Sequence, residues 1–404
     1  MLPVSHSWVR QILAFLFERG PATRTEIARV TGLNMGSVSR ASRYLVQAGV
    51  VASDGELPRA AGRRPTLLRL NAESWFFLCM DLEGTRVRVG LAGFNGDIRY
   101  RWGVPVALGE YFSERLLVKG IASVLSSLSV SERERVLAAG VSYTGIMNPE
   151  GRVTALNLGW KDFPLKEAIA AAANLPAFYG TESLVKLLAE RRRGVAKGKQ
   201  DVVFVTIANG VGCAIVSSGQ PLIGRDGAAG ELGHVVVDPG VLDQCQCGKK
   251  GCLEAIASSP SIVRQYMAKV GSEPHPILGE HVVQVFERAR EGDRAALEVV
   301  DRAAYYLGVA LSNVANLVNP ELIVLGGDAV YGDDLLLPRI REEIARHCLP
   351  TVRSGLEVKV SALGLDVGLI GAASLAFDGA VRDTSTLNRI ASCQPQRPLE
   401  LSAR

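Results

Sequence analysis

A chain of 404 residues is longer than one hydrophobic core usually organises, so two or three domains are expected. With 48% apolar and 21% charged residues it has a globular composition, and no apolar run reaches membrane-spanning length, which argues against membrane insertion. The net charge of +4 is uneven: residues 1–70 hold ten arginines and four acids, net +6, whereas the rest holds 35 basic and 37 acidic residues, net −2. A basic N-terminus on a mildly acidic body points to an anionic partner for that end.

Residues 7–19 place Val9, Ile12, Leu13, Leu16 and Phe17 on one helical face, and Pro21 follows the end of that helix. Thr23 and Glu26 have capping-box spacing and open a short helix through Ala28 and Val30. Thr31-Gly32-Leu33 reads as a turn. Asn34 caps a third helix, about Met35 to Ala48, with Val38, Ala41 and Leu45 inward and Gly49 closing it. This is the helix-turn-helix order, in which the third helix enters a DNA major groove. Its outer face would offer Ser37, Ser39, Arg40 and Arg43 to base edges or phosphates. Residues 50–58 and 66–70 read as the two strands of a wing. Between them Ala61-Gly62-Arg63-Arg64-Pro65 is extended by its proline and aims Arg63 and Arg64 at a narrow minor groove. A plain helical hairpin with a solvated face is the competing reading, and the wing weighs against it.

From Trp75 the texture changes. Phe76–Met80 and Arg86–Leu91 read as paired strands around Asp81-Leu82-Glu83-Gly84-Thr85, and Asn95-Gly96-Asp97 as a turn. Residues 113–128 form an amphipathic helix, and Val136–Val141 a strand. Asn157 in Asn-Leu-Gly-Trp reads from the residues alone as an Asx turn before Gly159. Residues 176–190 run from strand to helix through Thr181 and Glu182. Val202–Ile207 is a buried strand followed by Ala208-Asn209-Gly210-Val211-Gly212. Helices fill 259–318, and Leu322–Gly327 is a strand ending in Gly-Gly.

Between these lies the densest motif, GELGHVVVDPGVLDQCQCGKKGCLEAIAS over residues 230–258. His234 with Cys245, Cys247 and Cys252 is a ligand set suited to a closed tetrahedral Zn²⁺ site, with Gly248 and Gly251 allowing the chain to double back. Seven cysteines, three of them committed to a metal, suit a reducing cytoplasm rather than a disulfide framework. Without a metal motif between them, Glu231 and Glu254 would read as ordinary loop and cap carboxylates; a metal knot there would anchor both.

Gly-Glu-Leu-Gly-His before the cysteines, Gly-Cys-Leu-Glu after them and the Gly-Arg-Arg-Pro wing resemble the ROK family (repressors, open reading frames and sugar kinases), over residues 8–379. The resemblance implies an α/β chain with a winged helix-turn-helix at 1–70 and a two-lobed actin-like, sugar-kinase-like domain at 71–380 carrying the zinc loop 231–254. Residues 381–404, mostly polar with two prolines, read by composition as a loosely ordered tail. It also implies that His234, Cys245, Cys247 and Cys252 bind zinc, and that Asn157, Glu182, Glu231, His234 and Glu254 surround a bound sugar.

The chain departs from the family's kinases at three places. Glu83 replaces the central glycine of the phosphate-wrapping Asp-x-Gly-x-Thr. Thr181-Glu182-Ser183-Leu184 replaces Asn-Asp-x-Asn, leaving Glu182 where the kinase base stands. The second glycine-rich loop keeps Gly210 and Gly212 but loses its hydroxyl and three other glycines. A carboxylate facing phosphate and a displaced base both work against turnover. The expectation is a cytoplasmic regulator of repressor type for carbohydrate metabolism, binding double-stranded operator DNA and a sugar or sugar-derivative effector, without kinase activity. Palindromic operators need two reading heads, hence a homodimer or tetramer. The alternatives are an active ATP-dependent sugar kinase with a DNA-binding arm, and a regulator controlled by a protein partner.

Overall fold

Three helices, α1 (His6–Arg19), α2 (Arg24–Thr31) and α3 (Met35–Gln47), pack with a small antiparallel sheet of order β1-β3-β2, made of β1 (Ala22–Thr23), β2 (Val51–Glu56) and β3 (Thr66–Leu70). Local chemistry sets their ends. The Thr23 hydroxyl accepts the Glu26 N–H at 3.2 Å, the Asn34 side chain accepts the Ser37 N–H at 2.8 Å, and Gly32 turns between α2 and α3 at φ 73°. A computed structural model describes residues 5–56, 66–84, 86–105, 114–155, 159–271 and 280–392. Arg63, Arg64, Thr85 and Asn157 lie outside these residues.

The body has two lobes. In the first, β4 (Phe76–Leu82), β5 (Arg86–Gly93) and β6 (Ile98–Pro105) form an antiparallel meander. After α4 (Glu114–Ser126) and α5 (Val130–Glu134), β7 (Val136–Tyr143) joins parallel to β4. A side sheet of β8 (Ile146–Met147), β9 (Val153–Ala155) and β10 (Trp160–Phe163) leads through α6 (Leu165–Ala173) to β11 (Ala177–Thr181), parallel to β7. Helix α7 (Glu182–Arg193) then crosses toward the second lobe.

There β12 (Val202–Ile207), β13 (Val211–Ser217) and β14 (Gln220–Pro221) form another meander. Helices α8 (Leu253–Ala257), α9 (Ser259–Val270), α10 (Glu280–Arg290) and α11 (Arg294–Val318) follow. Strand β15 (Leu322–Gly327) adds parallel to β12, and after α12 (Asp333–His347) and α13 (Pro350–Arg353), β16 (Glu357–Val360) adds parallel to β15. The sheet orders β11-β7-β4-β5-β6 and β16-β15-β12-β13-β14 are the same topology built twice, although the sequence shows no matching repeat. Strands buried on both faces, such as β4, β7 and β12, read as continuous apolar runs, so backbone pairing repeats where side-chain identity need not.

Helix α14 (Val367–Arg382) returns to cover β4 and β7 in the first lobe, and α15 (Thr384–Ser392) follows it. Gly364–Arg382 is long and apolar enough to cross a bilayer, but 61% of it is buried inside the protein, as befits a core helix. The tail expected at 381–404 is corrected as far as Ser392, the rest lying outside the described residues: α14 runs to Arg382, and α15 buries Leu387 and Ile390 while Asp383 accepts the Thr386 N–H at 2.7 Å. Two apolar residues three apart on a capped turn were enough to dock it.

Head and body share one core, in which Val9, Leu13 and Leu16 of α1 pack together with Phe77, Phe94 and Phe377. Phe17 stacks on Phe377 with ring centroids 3.8 Å apart, and Arg10 donates to the Val381 carbonyl at 2.9 Å.

Candidate functional site

The stretch 230–258 folds into a knot on the edge of the cleft between the lobes. Val236 bridges Cys252, Gln244 bridges Lys250, and Gly248 and Gly251 take φ of 87° and 72°. A side chain on Gly251 would strike the Asp238 carbonyl, so the doubling-back requires glycine there. Arg302 and Tyr306 of α11 hold the knot through Asp243 at 2.7 Å and Asp238 at 2.9 Å.

Inside the knot one nitrogen of His234 and the sulfurs of Cys245, Cys247 and Cys252 all lie within 4.8 Å of one another. A tetrahedral Zn²⁺ with these ligands has edges of about 3.8 Å between sulfurs and about 3.6 Å from sulfur to nitrogen, from the usual bond lengths. The structure has 3.7 Å from Cys247 Sγ to Cys252 Sγ and 3.5 Å from Cys245 Sγ to His234 Nδ1. The donor set fits such an ion. His234 turns Nδ1 to the sulfurs and Nε2 toward Glu231, 3.9 Å away, the orientation by which an outer carboxylate steadies a ligating imidazole.

Glu231 and Glu254 enter the same cleft, a cavity of about 1020 Å³ that His234 and Glu182 also line. Glu254 sits in the first turn of α8 and accepts the Val211 N–H at 3.0 Å, which fixes one oxygen and leaves the other available. Burial holds the Glu231 carboxyl above its ordinary range, with His234 opposing and Glu254 adding to the effect. These carboxylates, brought together as expected, can accept hydrogen bonds from several hydroxyls.

Across the cleft the structure builds a cluster that sequence reasoning only half anticipated. Lys186, 3% exposed, reaches Glu182 at 2.6 Å and Glu83 at 2.8 Å. Arg88 reaches Glu83 at 2.8 Å and the wholly buried Asp81 at 2.8 Å, and Thr144 donates to Glu182 at 2.9 Å. The Arg88–Asp81 contact has ion-pair distance but not hydrogen-bond direction, since both Asp81 oxygens lack a hydrogen-bond partner. Burial therefore pushes the Asp81 carboxyl up to about 6, helped by the Glu83 charge and opposed by Arg88. Burial also works against Glu83, but Lys186 and Arg88 outweigh it and bring that carboxyl down to about 2. The Lys186 ammonium is held more basic than usual, because Glu182, Glu83 and Asp81 outweigh its burial.

Glu83 and Glu182, read from sequence as two separate losses, are thus one structure joined by Lys186. Two signals pointed there: Glu182 and Lys186 are spaced i, i+4 at the start of a helix, and Arg86 and Arg88 share one side of a strand. The rest of the would-be nucleotide side is tight. Gly84 of the first loop abuts the Asn209 side chain of the second. Ala208 donates to the Gly210 carbonyl at 2.9 Å in the expected hairpin turn from β12 to β13. Beyond Gly327, burial raises Asp328 to about 6 while Ser259 donates to it at 2.7 Å.

On the head, Arg40 and Arg43 stand exposed on α3, with the Arg40 guanidinium 5.2 Å over the Trp8 ring. Ser39 is half-buried. Ser37 is corrected: at 1% exposure it faces the core, because it lies one helical turn before Ala41 and two before Leu45 on the inward stripe.

Comparison with known proteins places these features. The family model described as "ROK family" matches residues 77–378. A glucokinase of Halalkalibacterium halodurans is 32% identical over 315 residues, covering 74% of this chain and 94% of that protein. A xylose repressor of Caldicellulosiruptor bescii is 27% identical over 375 residues, covering 89% of this chain and 94% of that one. Among solved structures, a ROK family transcriptional regulator described as a homolog of the Escherichia coli MLC protein superposes with a TM-score of 0.78 at 26% identity, covering 96% of this chain and 100% of that one. With the family model spanning both lobes and the His–Cys knot between them, the chain belongs to the ROK family.

Proposed function

We propose that this protein is a transcriptional regulator of repressor type. Its N-terminal winged helix-turn-helix reads operator DNA, its cleft binds a sugar or sugar derivative, and it has no sugar-kinase turnover. The observation that carries this reading is the head: α3 follows a left-handed glycine turn and keeps Arg40 and Arg43 exposed on a helix otherwise anchored to the core. The regulator structure's match to 96% of the chain extends into this head, whereas the glucokinase match covers 74%.

The cleft supports the absence of turnover. A phosphoryl group approaching the first loop would meet Glu83, and the carboxylate at the base position is engaged by Lys186 and Thr144. A general base must be free to take a proton at the reacting hydroxyl. A Zn²⁺ held by His234, Cys245, Cys247 and Cys252 would serve structure, since four protein ligands leave no open position. Its role is to pin the loop from which Glu231 and Glu254 reach the effector.

Helix α7 supplies the mechanical connection. Its first residue, Glu182, stands in the cleft. Near its end, Arg192 lies 4.4 Å over the Phe17 ring of the head and pairs with Asp378 at 2.5 Å, and Arg193 pairs with Asp97 at 2.5 Å. An effector that moves Glu182 or Lys186 pulls on the seat of α1, and in a homodimer this changes the placement of two heads on a palindromic operator.

The test starts by selecting duplexes from a random pool with the full-length protein, then titrating the winner by fluorescence anisotropy with and without a panel of sugars. Arg40→Ala/Arg43→Ala is expected to weaken binding by about tenfold or more and to flatten the salt dependence. Failure to enrich any sequence, or affinity indifferent to both arginines, would refute the DNA reading. ADP release from Mg-ATP with any common hexose would restore the kinase alternative.

A further inference from the structure

A second cavity, of about 1150 Å³, opens beside the cleft between the side sheet β8–β10, α6, β11 and the loop at Arg225–Gly227. Tyr143, Ile146, Thr154 and Gly227 line both cavities, so the two adjoin along a common wall. Either one has the size that holds a drug-sized ligand, on the order of 300–1,000 Å³, and a free hexose is much smaller.

The two cavities differ in chemistry. The cleft presents the sugar-facing carboxylates Glu231 and Glu254. The side cavity presents Met147, Leu175, Phe178 and Tyr179, and the one acid among its described lining residues, Asp226, is engaged by its neighbour Arg225 at 2.6 Å. Several polar groups in it are uncommitted among the described residues, three of them on or beside its aromatic wall. The hydroxyls of Tyr143 and Tyr179 make no hydrogen bond to the protein, and the Lys166 ammonium, 5.8 Å over the Tyr179 ring, pairs with no carboxylate. Aromatic walls with two free hydroxyls and a stacked ammonium suit a flat ring that carries an acceptor or a negative charge.

We propose that the side cavity is the second half of the effector site: the effector is a glycoside whose sugar occupies the carboxylate cleft and whose second, apolar or aromatic ring lies against Tyr179 and Lys166. This rests on the sugar-sensing reading above and gives its ligand class. A free monosaccharide fills only the first half and leaves the ring site to water.

Calorimetric titration of the full-length protein tests it, with glucose, xylose and N-acetylglucosamine against their phenyl and 4-carboxyphenyl glycosides in both anomers. At least one phenyl glycoside is expected to bind about tenfold more tightly than its parent sugar, the ratio for one stacked ring and its apolar burial. Tyr179→Ala should return that glycoside to the affinity of the parent, whose own affinity stays unchanged and reports an intact fold. Lys166→Met, which keeps the apolar stem, should weaken the carboxyphenyl compound more than the phenyl one. Parent sugars that bind while no glycoside gains, or a gain that survives Tyr179→Ala, would overturn the proposal and leave sugar sensing standing. If neither sugars nor glycosides bind, sugar sensing falls together with it.

Discussion

Replacing Lys186 by methionine isolates the buried charge cluster of Asp81, Glu83, Arg88 and Glu182 in the cleft. The ammonium is 3% exposed and stands between Glu182 and Glu83 at 2.6 and 2.8 Å. Its removal leaves two carboxylates facing each other, offset by Arg88, already shared with Asp81, and by the charge of Arg86 on Glu83. Breaking a buried pair from one side costs about 3–5 kcal/mol, against about 0–1 kcal/mol for an exposed pair. The sign with pH follows from the shifts. The Glu83 carboxyl is held down to about 2, so its contribution is present above the ordinary carboxylate range and is lost only as pH falls through that value. The Lys186 ammonium is held more basic than usual, so its contribution is complete below the ordinary lysine range. The native pair is therefore fully formed from pH 5 to 8. In Lys186→Met the Glu83 carboxyl loses the ammonium that did most to hold it down, its protonation on acidification relieves the repulsion, and the deficit should shrink from pH 8 to pH 5. Urea unfolding at both pH values reads this directly, and adding Glu182→Gln should recover much of the loss because glutamine still accepts from Thr144. A deficit under about 1 kcal/mol at pH 8 would mean that the pair behaves as a solvated one and would refute the reasoning.

Two further expectations concern the knot and the helix that joins cleft to head. Metal analysis of the purified protein should find about one zinc per chain, and Cys247→Ser should lose the metal, lower the unfolding midpoint and weaken any effector response; stoichiometry below about half would count against zinc. Arg192→Ala removes the guanidinium stacked on Phe17 and its bond to Asp378. It should leave effector affinity nearly unchanged while operator affinity stops responding to the effector, measured by calorimetry and anisotropy on the same preparation. A response that persists in full would mean that the head is coupled through another route.

The chemistry that depends on short stretches of chain was legible from residue order alone. Caps at Thr23 and Asn34, the glycine turn at Gly32, the paired strands around Glu83 and the four ligands of the knot are set by neighbours a few residues away, and each formed where the spacing placed it. Tertiary packing decided the rest. Ser37 looks outward only if α3 is read without its neighbours; the stripe it shares with Ala41 and Leu45 is buried by α1 and α2. The polar C-terminal stretch became a docked helix because Leu387 and Ile390 found the shared core of head and body. Glu83 and Glu182 stand 99 positions apart, and nothing local says that one lysine answers both. The doubled sheet topology, too, leaves no trace in residue identity. Local order encodes hydrogen-bond partners within a turn or two, whereas which charges meet in a cleft depends on how two lobes close over each other, a global minimum of burial and pairing that no short segment contains.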